Sequence, residues 1–290
     1  MIARLSESYT VKEVCFALGV ARSSYYQWKK ARSSARQRAN EQLLETIREV
    51  HLEHRERLGS PRGSPRMTHE LRRRGQACGR HRVARLMRRH GLKARRKRAF
   101  HPKTTQPGNA PCRNVLKELG APSAPDQVWV SDITYVATKE GWLYLAVVLD
   151  LCSRKVIGWA LRDTLEAEVV STALHRALLQ RGPAEGLCFH SDRGVQYSSA
   201  SIKQRLKAIQ ARQSMSAKGN CYDNAKAEAF FSSFKAECLP ADCVFATKEE
   251  ARREIFEYLE IYYNKKRLHS SLNYQTPVEY ESSFAALAPA

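Results

Sequence analysis

The sequence predicts an all-α front half followed by an α/β back half built on a mixed sheet with flanking helices. Three observations carry this. Charge is uneven: residues 1–126 hold 29 Lys and Arg against 10 Asp and Glu, whereas residues 127–290 hold 20 against 19. Apolar residues recur at helical spacing up to about residue 98 and in strand-like runs from residue 128 onward. Between these stretches Pro102, Pro107, Pro111, Pro122 and Pro125 interrupt any regular pattern. A chain of 290 residues is also long for one simple domain.

In residues 10–29, Val11, Val14, Cys15 and Leu18 fall on one helical face. Gly19 breaks the pattern and Arg22 to Trp28 restart it, which is a helix-turn-helix signature. Residues 36–56 read as one long polar helix with Leu43, Ile47 and Val50 on a single face. A second helical pair follows Gly63-Ser64-Pro65-Arg66, interrupted at Gly75. Its second member carries a narrow stripe of Val83, Leu86, Met87 and His90, with Arg82, Arg85, Arg88 and Arg89 around it. Lys93, Arg95, Arg96, Lys97 and Arg98 extend the positive charge. Such a distribution is an electrostatic footprint for nucleic acid, and with the helix-turn-helix signature the expected partner is double-stranded DNA, with Arg66, Arg82, Arg85, Arg89, Arg95 and Arg96 as phosphate contacts that fix register without reading sequence. Residues 99–120 read as a linker, with one short helix near Asn114 to Leu119.

The back half reads as strands over Val128–Tyr135, Leu143–Leu151 and Lys155–Leu161, then a helix over Glu166–Arg181. A strand over Gly186–His190, a helix over Ser199–Ile209 and a strand over Arg212–Met215 follow. Helices over Asp223–Cys238 and Lys248–Lys266 close the series. Three strands, helix, strand, helix, strand, helix is the order of a ribonuclease-H-like fold with five strands.

Three acids stand out against this frame. Asp132 and Asp192 end apolar, strand-like runs, and Glu228 lies on a helix with 35 residues between it and Asp192. Three carboxylates brought together can hold a pair of Mg²⁺ ions, which prefer oxygen ligands and leave room for phosphate. Such a pair stabilises the attacking and leaving oxygens of an in-line phosphoryl displacement. Taken singly, each acid has an ordinary explanation: a strand end, an Asx-turn at His190-Ser191-Asp192-Arg193-Gly194, or a solvated helical Glu behind the N-cap types Asp223 and Asn224. Gly194 is expected to let the chain turn sharply after Asp192. Asp150 and Asp223 are the acids most easily confused with the three.

The stretches Q-V-W-V-S-D-I-T-Y, G-W-L-Y-L-A-V-V-L-D-L-C-S-R-K-V-I-G-W, H-S-D-R-G-V-Q-Y, S-M-S-A-K-G-N-C-Y-D-N-A and Y-Y-N-K-K-R-L-H-S-S-L-N-Y-Q-T-P-V-E-Y run in fixed order from about Ala121 to Glu281. They resemble the integrase core of bacterial insertion-sequence transposases, most closely the OrfB-type protein of elements with two overlapping reading frames. The resemblance implies residues 1–60 as a helix-turn-helix with its long helix, 61–98 as a second helix-turn-helix-like basic region, and 121–284 as a catalytic core with a C-terminal helix. It implies neighbouring first and fourth strands, so that Asp132 and Asp192 stand side by side. It implies Asp132, Asp192 and Glu228 as metal ligands for two Mg²⁺ ions, with Mn²⁺ as a substitute. It also implies Lys235, two helical turns past Glu228, as a contact to DNA near the cleaved end. Implied partners are element-end and target DNA, an upstream-frame protein or frameshifted fusion, and further copies of the chain on DNA. One departure is Arg62, where the family often has Tyr.

Other classes fit less well. No two of the eight cysteines form a C-x-x-C pair, so His51 and His54 lack the paired thiols of a zinc module. Tyr262 and Tyr263 are expected to pack a helix rather than serve as nucleophiles, and His190 to neighbour the bound phosphates without ligating metal. The N-terminus lacks an apolar signal core, and the apolar run Trp142–Leu149 is too short to span a membrane. The expected location is therefore the cytoplasm, with the nucleoid. A DNA-binding regulator, an inactive relic that keeps the fold, or a nonspecific nuclease stays open at this point.

Overall fold

The computed structural model describes residues 2–6, 8–30, 34–58, 64–94, 112–216 and 224–287. Arg95 and Arg96, Asp223, Cys221 and most of the expected linker lie outside the described residues. The chain divides into two compact units, Met1–Lys93 and Ala94–Ala290.

The first unit is helical. It contains α1 (Ile2–Leu5), α2 (Val11–Ala17), α3 (Arg22–Lys30), α4 (Ala35–Glu53), α5 (Ser64–Arg73) and α6 (Arg80–Arg89). Thr10 starts α2 through a reciprocal cap with Glu13, each side chain reaching the other's backbone N–H. Gly19, at φ +62°, turns the chain toward α3 in the left-handed region where a side chain is disfavoured. Ser34 caps α4 by accepting from the Gln37 N–H. Leu43, Ile47 and Val50 of α4 are buried with Met67 and Leu71 of α5 and Val83, Leu86 and Met87 of α6. The division expected near residue 60 therefore cuts through a shared core: α4 packs with the second helical pair. His90, expected on the apolar stripe, is exposed because it lies past the last turn of α6, at its C-cap.

The second unit is a mixed sheet between two helical layers. Its strands are β1 (Val128–Thr138), β2 (Gly141–Asp150), β3 (Val156–Arg162), β4 (Cys188–Ser191), β5 (Arg212–Met215) and β6 (Val244–Phe245). The order is β3-β2-β1-β4-β5. β1 and β2 pair antiparallel, as do β2 and β3, whereas β4 runs parallel to both β1 and β5. This is the ribonuclease-H-like arrangement, with one strand more than expected. β1 runs three residues past Tyr135, and its end pairs with the two-residue β6, which is too short to leave a pattern in the sequence.

The helices are α7 (Leu116–Leu119), α8 (Ala167–Arg181), α9 (Ala200–Ala208), α10 (Ala225–Glu237), α11 (Lys248–Phe256) and α12 (Pro277–Leu287). Side chains alternate between faces along a strand. Val128 and Val130 of β1 point toward Phe230, Phe234 and Ile255 of α10 and α11. Trp129 points the other way, toward Val169, Val170 and Leu174 of α8 and Ile202 of α9. Gly158 of β3 lets α8 approach closely: a Cβ there would meet the Ala173 carbonyl oxygen at 2.3 Å.

The helix expected over Lys248–Lys266 changes character. After α11 it widens into a π-helix over Glu257–Tyr263. The wider turn buries Tyr258, Leu259, Tyr262 and Tyr263, more bulk than one α-helical stripe presents. Among the described residues no helix is long and apolar enough to cross a membrane.

Candidate active site

Strand pairing brings the first two acids together. The last register pair between β1 and β4 is Ser131 with Ser191, so Asp132 and Asp192 are the next residues on adjacent parallel strands. Neighbouring strands lie about 4.8 Å apart, which sets the scale of their separation. Asp132 shares the face of Val128 and Val130, the face that α10 covers. Glu228 and Lys235 lie on that helix, Glu228 exposed and Lys235 half-buried.

The electrostatics record this closeness. The Asp132 carboxyl is pushed up to about 8, first by burial and then by the negative charge of Asp192. Glu228 raises it further, while the Ile133 N–H and Lys235 act in the opposite direction. The Ile133 N–H donates to Asp132 Oδ1 at 2.8 Å. The Asp192 carboxyl is raised too, by burial, against the Gly194 N–H that donates to its Oδ1 at 3.0 Å. Two acids and one lysine thus act on Asp132, in the middle of β1 beside the end of β4. Among the described residues no three His, Cys, Asp or Glu side chains stand close enough to hold a single ion together. Carboxylate oxygens are the donor type a hard divalent cation takes, and a cation bound beside Asp132 would relieve the repulsion that raises its carboxyl.

Several expectations change here. Gly194 has an ordinary φ of −56°, so no special backbone conformation requires it. The reason for glycine is space: a Cβ would stand 3.1 Å from Asp192 Oδ1 and 3.0 Å from Gln196 Oε1. His190 is not an open neighbour of bound phosphate. It is fully buried, with Nδ1 at 2.9 Å from Ser214 Oγ and Nε2 at 3.3 Å from Ser216 Oγ, so it ties β4 to β5. Asn224 precedes α10 but makes no side-chain cap bond. Asp150 is a turn staple: it accepts from the Ser153 N–H and Oγ and from the Asp126 N–H.

Sequence reasoning missed two supports. Tyr197, in the 3₁₀ turn Val195–Ser198, is buried with its hydroxyl 3.0 Å from Ser131 Oγ. Burial and the negative charges of Asp192 and Asp132 push its hydroxyl well above the usual tyrosine range. Arg267 grips Glu237 at the end of α10 through two bonds, of 2.8 Å from Nε and 3.0 Å from Nη2, and Nη2 also reaches Ser233 Oγ. The pair fixes the helix that carries Glu228 and Lys235. It joins residues 30 apart, and nothing in local spacing announces it.

In the first unit, Arg85 and Arg89 are exposed and Arg66 is half-buried. Arg82 is partly engaged, its Nε donating to Asn40 Oδ1 of α4 at 2.8 Å. His51, one of the two histidines weighed for zinc, is buried with Nδ1 2.6 Å from the Leu58 carbonyl oxygen.

Four family models match the chain: Transposase over residues 1–56, HTH-like domain over 38–100, and Integrase core domain over 122–221 and again over 209–277. Transposase InsF for insertion sequence IS3A of Escherichia coli (strain K12) is 39% identical over 284 residues, which cover 97% of this chain and 97% of that protein. The insertion element IS600 uncharacterized 31 kDa protein of Shigella sonnei is 38% identical over 276 residues, covering 95% of this chain and 100% of that one. A looser likeness, at a TM-score of 0.39 and 15% identity, links 55% of this chain with 98% of the HTLV-2 integrase catalytic core domain solved in complex with magnesium. With this identity along nearly its whole length, a helix-turn-helix front half and an integrase core behind it, the chain belongs to the OrfB-type transposases of the IS3 insertion-sequence family.

Proposed function

We propose that the core cuts a phosphodiester at the end of its insertion element and joins the freed 3′-OH to a second phosphodiester, in a divalent-metal-dependent reaction carried by Asp132, Asp192 and Glu228. The observation that supports this most is the coupling of the three acids at one point of the sheet, recorded in the raised Asp132 carboxyl. Bound Mg²⁺, two ions with Mn²⁺ as a substitute, would neutralise the phosphate and acidify the attacking water. Asp132 and Asp192 would hold one side of the site and Asp132 with Glu228 the other.

In the first step water attacks phosphorus and the 3′ oxygen leaves with a proton. In the second that 3′-OH attacks a new phosphodiester and displaces its 3′ oxygen. No protein nucleophile is used. Tyr263 is buried and its hydroxyl is pushed up to about 12, chiefly by burial, which suits a packing residue. Lys235 would guide the DNA end along α10. Arg66, Arg82, Arg85 and Arg89, with Arg95 and Arg96, would neutralise phosphates in the front half. Copies of the chain on DNA, and an upstream-frame partner or fusion, complete this reading.

The test is strand-transfer product from a labelled element-end duplex in Mg²⁺, with and without a chelator, set beside binding of the same duplex. Product that needs the metal supports the proposal. Binding without product, even with the upstream-frame protein supplied, favours a regulator or relic.

A further inference from the structure

The turn after Asp192 holds a cation that the three-acid reading does not use. Arg193 follows Asp192 directly and is half-buried. Its Nε donates to the Ser216 carbonyl oxygen at 2.7 Å. The Ser216 N–H in turn donates to the Ser191 carbonyl oxygen at 3.0 Å, so the anchor is an extension of the β4–β5 ladder. The turn is fixed on its other side as well. Ser191 Oγ donates to the Asp192 carbonyl oxygen at 2.9 Å, and the Gly194 N–H donates to Asp192 Oδ1. Arg193 is therefore held by one nitrogen just past the ends of β4 and β5, next to Asp192 in the chain.

What the rest of its guanidinium does is informative. The half-buried Arg181 pairs with Glu281 and Asp126, and the half-buried Arg267 pairs with Glu237. Arg193 forms no ion pair with any acid among the described residues, although it adjoins one in sequence. With Nε taken, the two terminal nitrogens have no hydrogen bond or ion pair to a described residue and form a planar fork of parallel N–H donors, the geometry that matches two oxygens of a phosphate. A guanidinium placed among these acids simply to cancel their charge would pair with them. One held apart, beside a site that binds the phosphate through its metal side, is arranged for the opposite side of that phosphate.

We infer that Arg193 is a phosphate-binding residue of the core, contacting through Nη1 and Nη2 a non-bridging oxygen pair of the DNA backbone at, or one nucleotide from, the reacting phosphodiester. The inference rests on the proposed reaction. It assigns Arg193 binding and orientation of the DNA, with no proton or bond transfer of its own. Lysine at this place would keep the charge and lose both the fork and the Nε anchor.

The experiment uses the full-length protein and element-end duplexes carrying a single neutral methylphosphonate, walked across the phosphates around the cleavage point. Wild type should lose about 10–100-fold in rate at one or two positions, the scale of a lost charge-assisted contact. Arg193→Ala should lose a similar factor on the natural duplex and should be indifferent to methylphosphonate at those same positions, because each change removes one partner of one contact. Arg193→Lys should fall between. Thermal unfolding and duplex binding by each variant separate a folding defect from a contact defect. Should Arg193→Ala be too unstable to assay, the same walk on Arg193→Lys decides, by a smaller penalty at the same positions. Equal methylphosphonate penalties in wild type and variant, or a variant as fast as wild type on the natural duplex, would overturn the assignment. A wild type that makes no product in Mg²⁺ is a different result and counts against the proposed reaction itself.

Discussion

At the scale of single residues, Asp132 shows how burial and like charges share one task. Its carboxyl is raised from about 3.8 to about 8, so the metal-free folded protein holds a proton there that the unfolded chain releases near pH 4. Between these values the folded state binds more protons than the unfolded one. Stability of the metal-free protein should therefore fall as pH rises through that window, and Asp192, raised in the same direction, adds to the slope. Asp132→Asn removes the titrating group. In chelator, its melting temperature should exceed that of wild type by an amount that grows from pH 5 to pH 8, each kcal/mol appearing as about 2–4 °C. Added Mg²⁺ should raise the wild-type value more than the variant's. A difference that is flat with pH would mean that Asp132 is not held this way. The neighbourhood of the three acids was legible from their motifs. Tyr197 under Ser131 and the serines around His190 were not, because those contacts cross 66, 24 and 26 positions of sequence.

At the scale of elements, apolar runs announced the strands and the glycines announced the turns of the helical pairs. The breaks came where packing overrode local pattern. β6 and the π-helix at Glu257–Tyr263 exist because β1 offers a free end and four bulky side chains need burial. Two substitutions probe this layer. Gly158→Ala places a Cβ 2.3 Å from the Ala173 carbonyl oxygen, so α8 must move away from β3. We expect a loss of about 1–3 kcal/mol by urea unfolding, the range for overpacking, and an unchanged stability would show that the helix yields freely. Arg267→Ala leaves Glu237 buried at the end of α10 with the Tyr258 hydroxyl, at 3.1 Å, as a neutral donor. Breaking such a pair costs about 3–5 kcal/mol, so this variant should unfold well before wild type. If instead it melts like wild type, the pair does not fix α10.

At the scale of the molecule, charge divides the labour. Residues 1–100 carry 26 Lys and Arg against 8 Asp and Glu, and their helices have a core of their own. That segment should bind duplex DNA with an affinity that falls steeply with salt, as neutralised phosphates release their counterions. Residues 120–290 alone should bind far more weakly, and equal binding by the two would contradict the division. The central claim remains the reaction in the middle of β1, beside the end of β4. The direct measurement is strand-transfer product from a labelled element-end duplex in Mg²⁺ for Asp132→Asn, Asp192→Asn and Glu228→Gln. Each change keeps the shape of the side chain and removes one negative ligand. Each should abolish product while duplex binding stays close to that of wild type. Substantial product from any one of the three would remove that residue from the site, and product from all three would contradict the account.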